Sequence, residues 1–184
     1  MDIKKIANPI NLFNQVKGLI LKPKTEWAVL KTKEVSKSDL INNLLIPSVF
    51  IVTAVGLIRF VLGFMYDGGS FFGTIISALS VLISYFLGSF VLHFLSKQKN
   101  FKGTQEVLVF NKLLAYTIST YALFNILLLI PGLGTFVSGL AGLYVLYIFY
   151  LGINSLVELE NKKIFIALCI AVQLILAMSF SAIF

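Results

Sequence analysis

Charge is scarce in this chain. Only 12% of its 184 residues are Asp, Glu, Lys or Arg, about half the share in soluble domains, while 58% are hydrophobic and the mean hydropathy is +0.94. So few charges cannot cover a water-facing surface. Cysteine and histidine are almost missing as well: the chain has Cys169 and His93 and no others. One cysteine excludes an intrachain disulfide, and the pair together argues against a Cys/His metal site. All eight acids fall outside the long apolar runs. A membrane enzyme would need acids, histidines or cysteines clustered there, so neither catalysis nor a cofactor is expected.

Between the charged stretches lie runs long enough to span a bilayer, which takes about 20 mostly apolar residues. Five spans are read at 44–63, 71–95, 113–130, 136–156 and 164–184. Each run is continuous rather than alternating, and lipid forces every backbone group to find its partner within its own segment, so the spans are helices. The expected fold is an all-α membrane protein, with an N-terminal segment 1–39 and a membrane domain 40–184.

All fourteen lysines fall in alternate connections: before span one, between spans two and three, and between spans four and five. The other two connections hold Asp67 and the uncharged turn Pro131-Gly132-Leu133-Gly134-Thr135. By the positive-inside rule the amino terminus is cytoplasmic and Phe184 lies outside, after an odd number of crossings. A bacterial cytoplasmic membrane is the expected location. Topology and anionic lipid account for the net charge of +7, and nucleic acid is not expected as a partner. No apolar run precedes Ile41, so the first span is expected to serve as its own insertion signal.

Asn8-Pro9 is a helix start, with Asn as cap and Pro in the first turn. Over residues 9–21, Leu12, Phe13, Val16, Leu19 and Ile20 share one arc opposite Asn11, Asn14, Gln15 and Lys17. This amphipathic helix either lies in the membrane interface or packs on the membrane domain. Trp27, the only tryptophan, stands among Lys22, Lys24 and Lys31 and reads as an interfacial anchor.

Six positions carry polar chemistry worth following. Arg59, the one charge well inside a span, lies about 6 Å from its end. It either snorkels outward, with Asp67 as partner, or faces a polar cavity. Asn125 and Gln173 lie deeper and must bond each other, a backbone carbonyl or a substrate. Tyr144 and Tyr147 drift down span four, with an aromatic belt as the default. Small residues four apart, at Ser80, Ser84 and Gly88, at Gly134, Ser138 and Gly142, and at Ala115 and Ser119, predict close helix packing.

Several stretches resemble, in order, the Yip1 family of five-span membrane proteins in its short prokaryotic form. They are Lys22-Pro23-Lys24-Thr25-Glu26-Trp27; Phe110-Asn111-Lys112-Leu113-Leu114-Ala115-Tyr116 with Tyr121; Leu129-Ile130-Pro131-Gly132-Leu133-Gly134; and Gly142-Leu143-Tyr144-Val145-Leu146-Tyr147 running into Tyr150-Leu151-Gly152. Members often carry a proline where this chain has Ile153-Asn154. The resemblance implies Rab GTPase binding only for chains with a long cytoplasmic region and an Asp-Leu-Tyr-Gly-Pro motif. This chain has neither, and Rab binding is not carried over.

Two functions fit this sequence. One is a non-enzymatic membrane-organising or adaptor protein, working with lipid, other membrane proteins or further copies of itself. The other is a small transporter, channel or lipid-moving protein, built on Arg59, Asn125, Gln173 and the tyrosines.

Overall fold

The computed structural model describes residues 9–63, 70–101 and 106–181, with only the backbone described for Pro9 and 174–181. Asp67, Lys4, Lys5, Lys102 and Phe184 lie outside the described residues. Within them the regular structure is all helix, with no strand. We number the helices α1 (Pro9–Leu21), α2 (Pro23–Thr32), α3 (Lys37–Val61), α4 (Phe71–Ser96), α5 (Val107–Leu129), α6 (Gly134–Leu156) and α7 (Lys162–Ser181). Four of them, α3 to α6, are long and apolar enough to cross a membrane. The fifth expected span falls on α7.

Two helices begin more than a turn earlier than hydropathy suggests. Ser36 caps α3, eight residues before the expected span: its Oγ accepts the Asp39 N–H at 3.1 Å, and the Asp39 carboxylate accepts the Ser36 N–H at 3.1 Å. This reciprocal box starts a helix in polar sequence, where hydropathy is blind. Helix α5 likewise starts at Val107, so Lys112 sits inside it.

Helix α3 widens into a π turn at Ile41–Leu45, where the Ile46 N–H reaches the Ile41 carbonyl five residues back. Pro47 explains the widening, because it offers no N–H to the Asn43 carbonyl and its ring crowds the preceding turn. Gln15 of α1 reaches toward that carbonyl, Nε2 to O 3.4 Å.

Helix α5 is the centre of the bundle. Leu113 through Thr120 are buried without interruption, as on a helix enclosed on every side. Thr117 and Thr120 return their hydroxyls to their own helix, to the Leu113 carbonyl at 2.8 Å and the Tyr116 carbonyl at 2.9 Å. Ser48 of α3 donates to Ser119 of α5 at 2.9 Å, a buried bond between spans. The predicted close approach is therefore seen at Ser119.

At one end of the bundle Gly132 takes the left-handed conformation (φ +72°) that the tight Pro131–Gly134 turn requires. At the other end the lysine-bearing segments meet. Asn161 Nδ2 donates to the Asn100 carbonyl at 2.9 Å, and Lys31 pairs with Glu158 at 2.5 Å. This is the basic end.

Candidate functional site

Helices α1 and α2 form a hairpin turning at Lys22, and it belongs to the bundle. Leu12, Val16 and Leu19 of α1 and Trp27 and Leu30 of α2 are part of the common hydrophobic core. Phe13, expected on the same arc, points outward, and Ile20 is half-buried.

Trp27 departs furthest from expectation. An interfacial anchor would show its ring to the headgroups, whereas Trp27 is 0% exposed. Its indole N–H donates to the Ile148 carbonyl of α6 at 2.9 Å, and its ring meets Tyr116 of α5 edge-on, centroids 6.2 Å apart. The only tryptophan therefore fastens α2 to the bundle. It does not face lipid.

Three further ties hold the hairpin. Tyr144 of α6 donates its hydroxyl to the Ile20 carbonyl at 2.8 Å. Lys112 of α5 donates to the Leu30 and Lys33 carbonyls at 2.9 and 2.7 Å, which satisfies the last carbonyls of α2 and sets a cation against its negative end. Lys31 closes the set on Glu158, whose carboxylate is held below its ordinary range first by that hydrogen bond and then by the lysine's charge. Lys112, expected only as a marker of topology, is a structural cap.

Beside these ties lies a recess of about 580 Å³ lined by Lys31, Lys33, Glu34, Glu106, Lys112 and Glu158 among others. Both charge signs line it, so it does not select an ion of one sign.

A second cavity, about 390 Å³, lies between α4 and α6, floored by α5 and bordered by α7. Ser80, Ser84, Thr117, Tyr121, Ser138 and Gln173 give it hydrogen-bonding walls without a formal charge. The Nε2 of Gln173 is buried and has no hydrogen-bond partner among the described residues. At Gly139 and Gly142 an added Cβ would meet nothing within 4 Å. The row of small residues on α6 therefore opens a cleft at Ser138 and Gly142, where close helix contact was expected. Gly88 keeps its packing role, with Leu114 Cδ1 2.9 Å from its Cβ position.

The other marked positions do not join Gln173. Asn125 donates to its own helix, Nδ2 to the Tyr121 carbonyl at 3.0 Å, where α5 tightens into a 3₁₀ turn. Arg59 lies half-buried two residues from the end of α3. Tyr147 is 49% exposed, with its ring 6.1 Å from that of Tyr144. His93 sits near the basic end of α4, its ring 6.2 Å from that of Phe110. Among the described residues no three His, Cys, Asp or Glu side chains come together as metal ligands.

The sequence profile described as the Yip1 domain matches residues 17–183, nearly the whole chain. No curated protein and no solved structure matches it.

Proposed function

Because the chain belongs to the Yip1 domain family of integral membrane proteins, we propose that it is a non-enzymatic membrane organiser or adaptor. The observation that carries this reading is the fastening of the α1–α2 hairpin across two spans by Trp27, Tyr144 and Lys112. Four separate ties spent on a peripheral hairpin make a fixed platform at one end of the bundle. A platform suits a protein that presents a surface to lipid or to neighbouring proteins.

The lysine pattern supports a topology in which the basic end faces the cytoplasm and α7 makes a fifth crossing. A bacterial cytoplasmic membrane is the matching location. Tags on both termini, tested for protease access in intact cells, should lie in different compartments, and a shared compartment would remove the five-span arrangement.

Crosslinking in native membranes tests the organising role. A second copy or another membrane protein should be captured through the hairpin. Recovery of monomer alone would sink it.

A second reading, movement of a small solute or lipid, draws on the cleft and on the buried Gln173 Nε2. Its test is reconstitution in liposomes. Flux equal to that of empty vesicles, for ions, uncharged solutes and labelled lipid alike, would dismiss it.

A further inference from the structure

The hairpin's ties fall in register along α6. Lys31 meets Glu158, Trp27 meets Ile148, and Ile20 meets Tyr144. Helix α2 therefore runs alongside α6, with its basic-end terminus level with the end of α6 and its other terminus deeper in the bundle. At 1.5 Å per residue, the Ile148 carbonyl lies ~12 Å from Leu156 and Tyr144 lies ~18 Å from it. A bilayer's hydrocarbon core is about 30 Å thick. Helix α6 covers little more than that with its 23 residues. The turn at Lys22-Pro23 is thus a third to a half of the way down a membrane-spanning helix.

The outer side of the hairpin matches that depth in an unusual way. Leu21 is 75% exposed and Ile10 67%, with Val29 also exposed, which is apolar surface that acyl chains would cover. Between them Lys17, Lys22 and Lys24 are exposed as well. Such alternation marks segments that lie in the interface, where apolar groups enter the chains and ammonium groups reach phosphates. Tyr147, another residue of interfacial type, is exposed at the same level of α6. A lysine deep in hydrocarbon is strongly disfavoured unless charge or water follows it. Glu26 sets one carboxylate at the turn, against Gly18 of α1, but the three exposed lysines outnumber it, so further counter-charge must be brought to their level.

We infer that α1–α2 is a re-entrant hairpin set into the leaflet at the basic end, and that Lys22 and Lys24 at its turn hold the phosphates of anionic phospholipids below the plane of the surrounding headgroups. The inference requires only that α3 to α6 cross the bilayer. It stands whether or not a protein partner binds the platform.

The full chain, reconstituted in phosphatidylcholine vesicles with and without phosphatidylglycerol, tests both parts. In a Cys169→Ala background, spin labels go on three exposed positions through Leu21→Cys at the turn, Lys33→Cys at the basic end and Leu143→Cys on α6. The label at position 21 should be shielded from an aqueous nickel complex and accessible to oxygen much as the label at 143 is, while the label at 33 shows the reverse. Equal nickel access at 21 and 33 would place the hairpin outside the leaflet and overturn the inference. For the lipid, wild-type protein should retain phosphatidylglycerol over phosphatidylcholine. Replacing Lys22 and Lys24 by Gln should lower that preference about five-fold per lysine, whereas Lys97→Gln leaves it in place. Unchanged Trp27 emission shows that the variants keep the hairpin packed. A double variant with that emission and an undiminished preference would refute the headgroup site.

Discussion

Trp27 and Gly152 share one site from opposite ends of the sequence. The indole edge lies where the Cβ of any other residue at 152 would stand, with Cε2 and Cζ2 2.8 Å from that position. Ile148 is one helical turn before Gly152, and the bare backbone at 152 opens the Ile148 carbonyl to the indole N–H. Two separate motifs of the sequence thus act as a single lock, with Tyr116 as its third side.

Gly152→Ala should break this lock. The added methyl would lie 2.5 Å from Leu113 Cδ1 and 2.8 Å from the indole, so the ring must withdraw and give up its hydrogen bond. Overpacking costs about 1–3 kcal/mol and an orphaned buried donor a similar amount. The variant should unfold at lower denaturant in detergent, with red-shifted emission from its only tryptophan. Trp27→Phe keeps most of the volume and removes the donor altogether. It should cost only about 1 kcal/mol.

Lys112→Met separates the cap from the topology marker. Two carbonyls at the end of α2 lose a charged donor, each such bond being worth about 1.5–3 kcal/mol at most and less at a partly open site. Amides of α2 should exchange faster than those of α6, while terminal tags stay in the same compartments because the neighbouring lysines remain.

At the basic end, pH acts through Glu158. Its pKa in the folded protein is lowered from the ordinary 4.5, first by the hydrogen bond from Lys31 and then by that lysine's charge. A depressed pKa means the unfolded chain binds the proton more readily. The pair therefore contributes fully above pH ~4.5 and loses its contribution as pH falls through the lower folded value. Both groups are largely exposed, so the effect is small. Glu158→Gln should remove that acid-limb dependence of α2 exchange and leave exchange near neutrality almost unchanged, a pattern that amide exchange at the two pH values would measure.

Hydropathy carried the four described spans because burial in lipid depends on composition alone. It missed the first turns of α3 and α5: the Ser36–Asp39 box starts α3 in polar sequence, and the half-buried Lys112 joins α5 through hydrogen bonds that no hydropathy scale registers. Trp27 was misread for a related reason. A tryptophan among lysines has the composition of an interface, and its acceptor lies 121 residues away. Small-residue spacing found a face of α6 but not what meets it. The same pattern packs Ser119 against Ser48 and leaves Gly142 open.

That contrast allows one experiment on two glycines of the same helix. Gly142→Ala points a methyl into the cleft, where nothing lies within 4 Å, and replacing glycine in a helix interior gains up to about 1 kcal/mol of backbone preference. Gly152→Ala meets the lock described above. Side by side in detergent melts, alanine at 142 should leave the midpoint unchanged or raise it, and alanine at 152 should lower it by several degrees. A large hydrophobe in place of Gly142 would then fill the cleft without touching the hairpin. Any flux measured in liposomes should fall in that variant, while its Trp27 emission and its phosphatidylglycerol preference hold. If alanine at 142 destabilises as much as alanine at 152, the cleft is closed in the membrane, and the solute-moving reading loses the space it depends on.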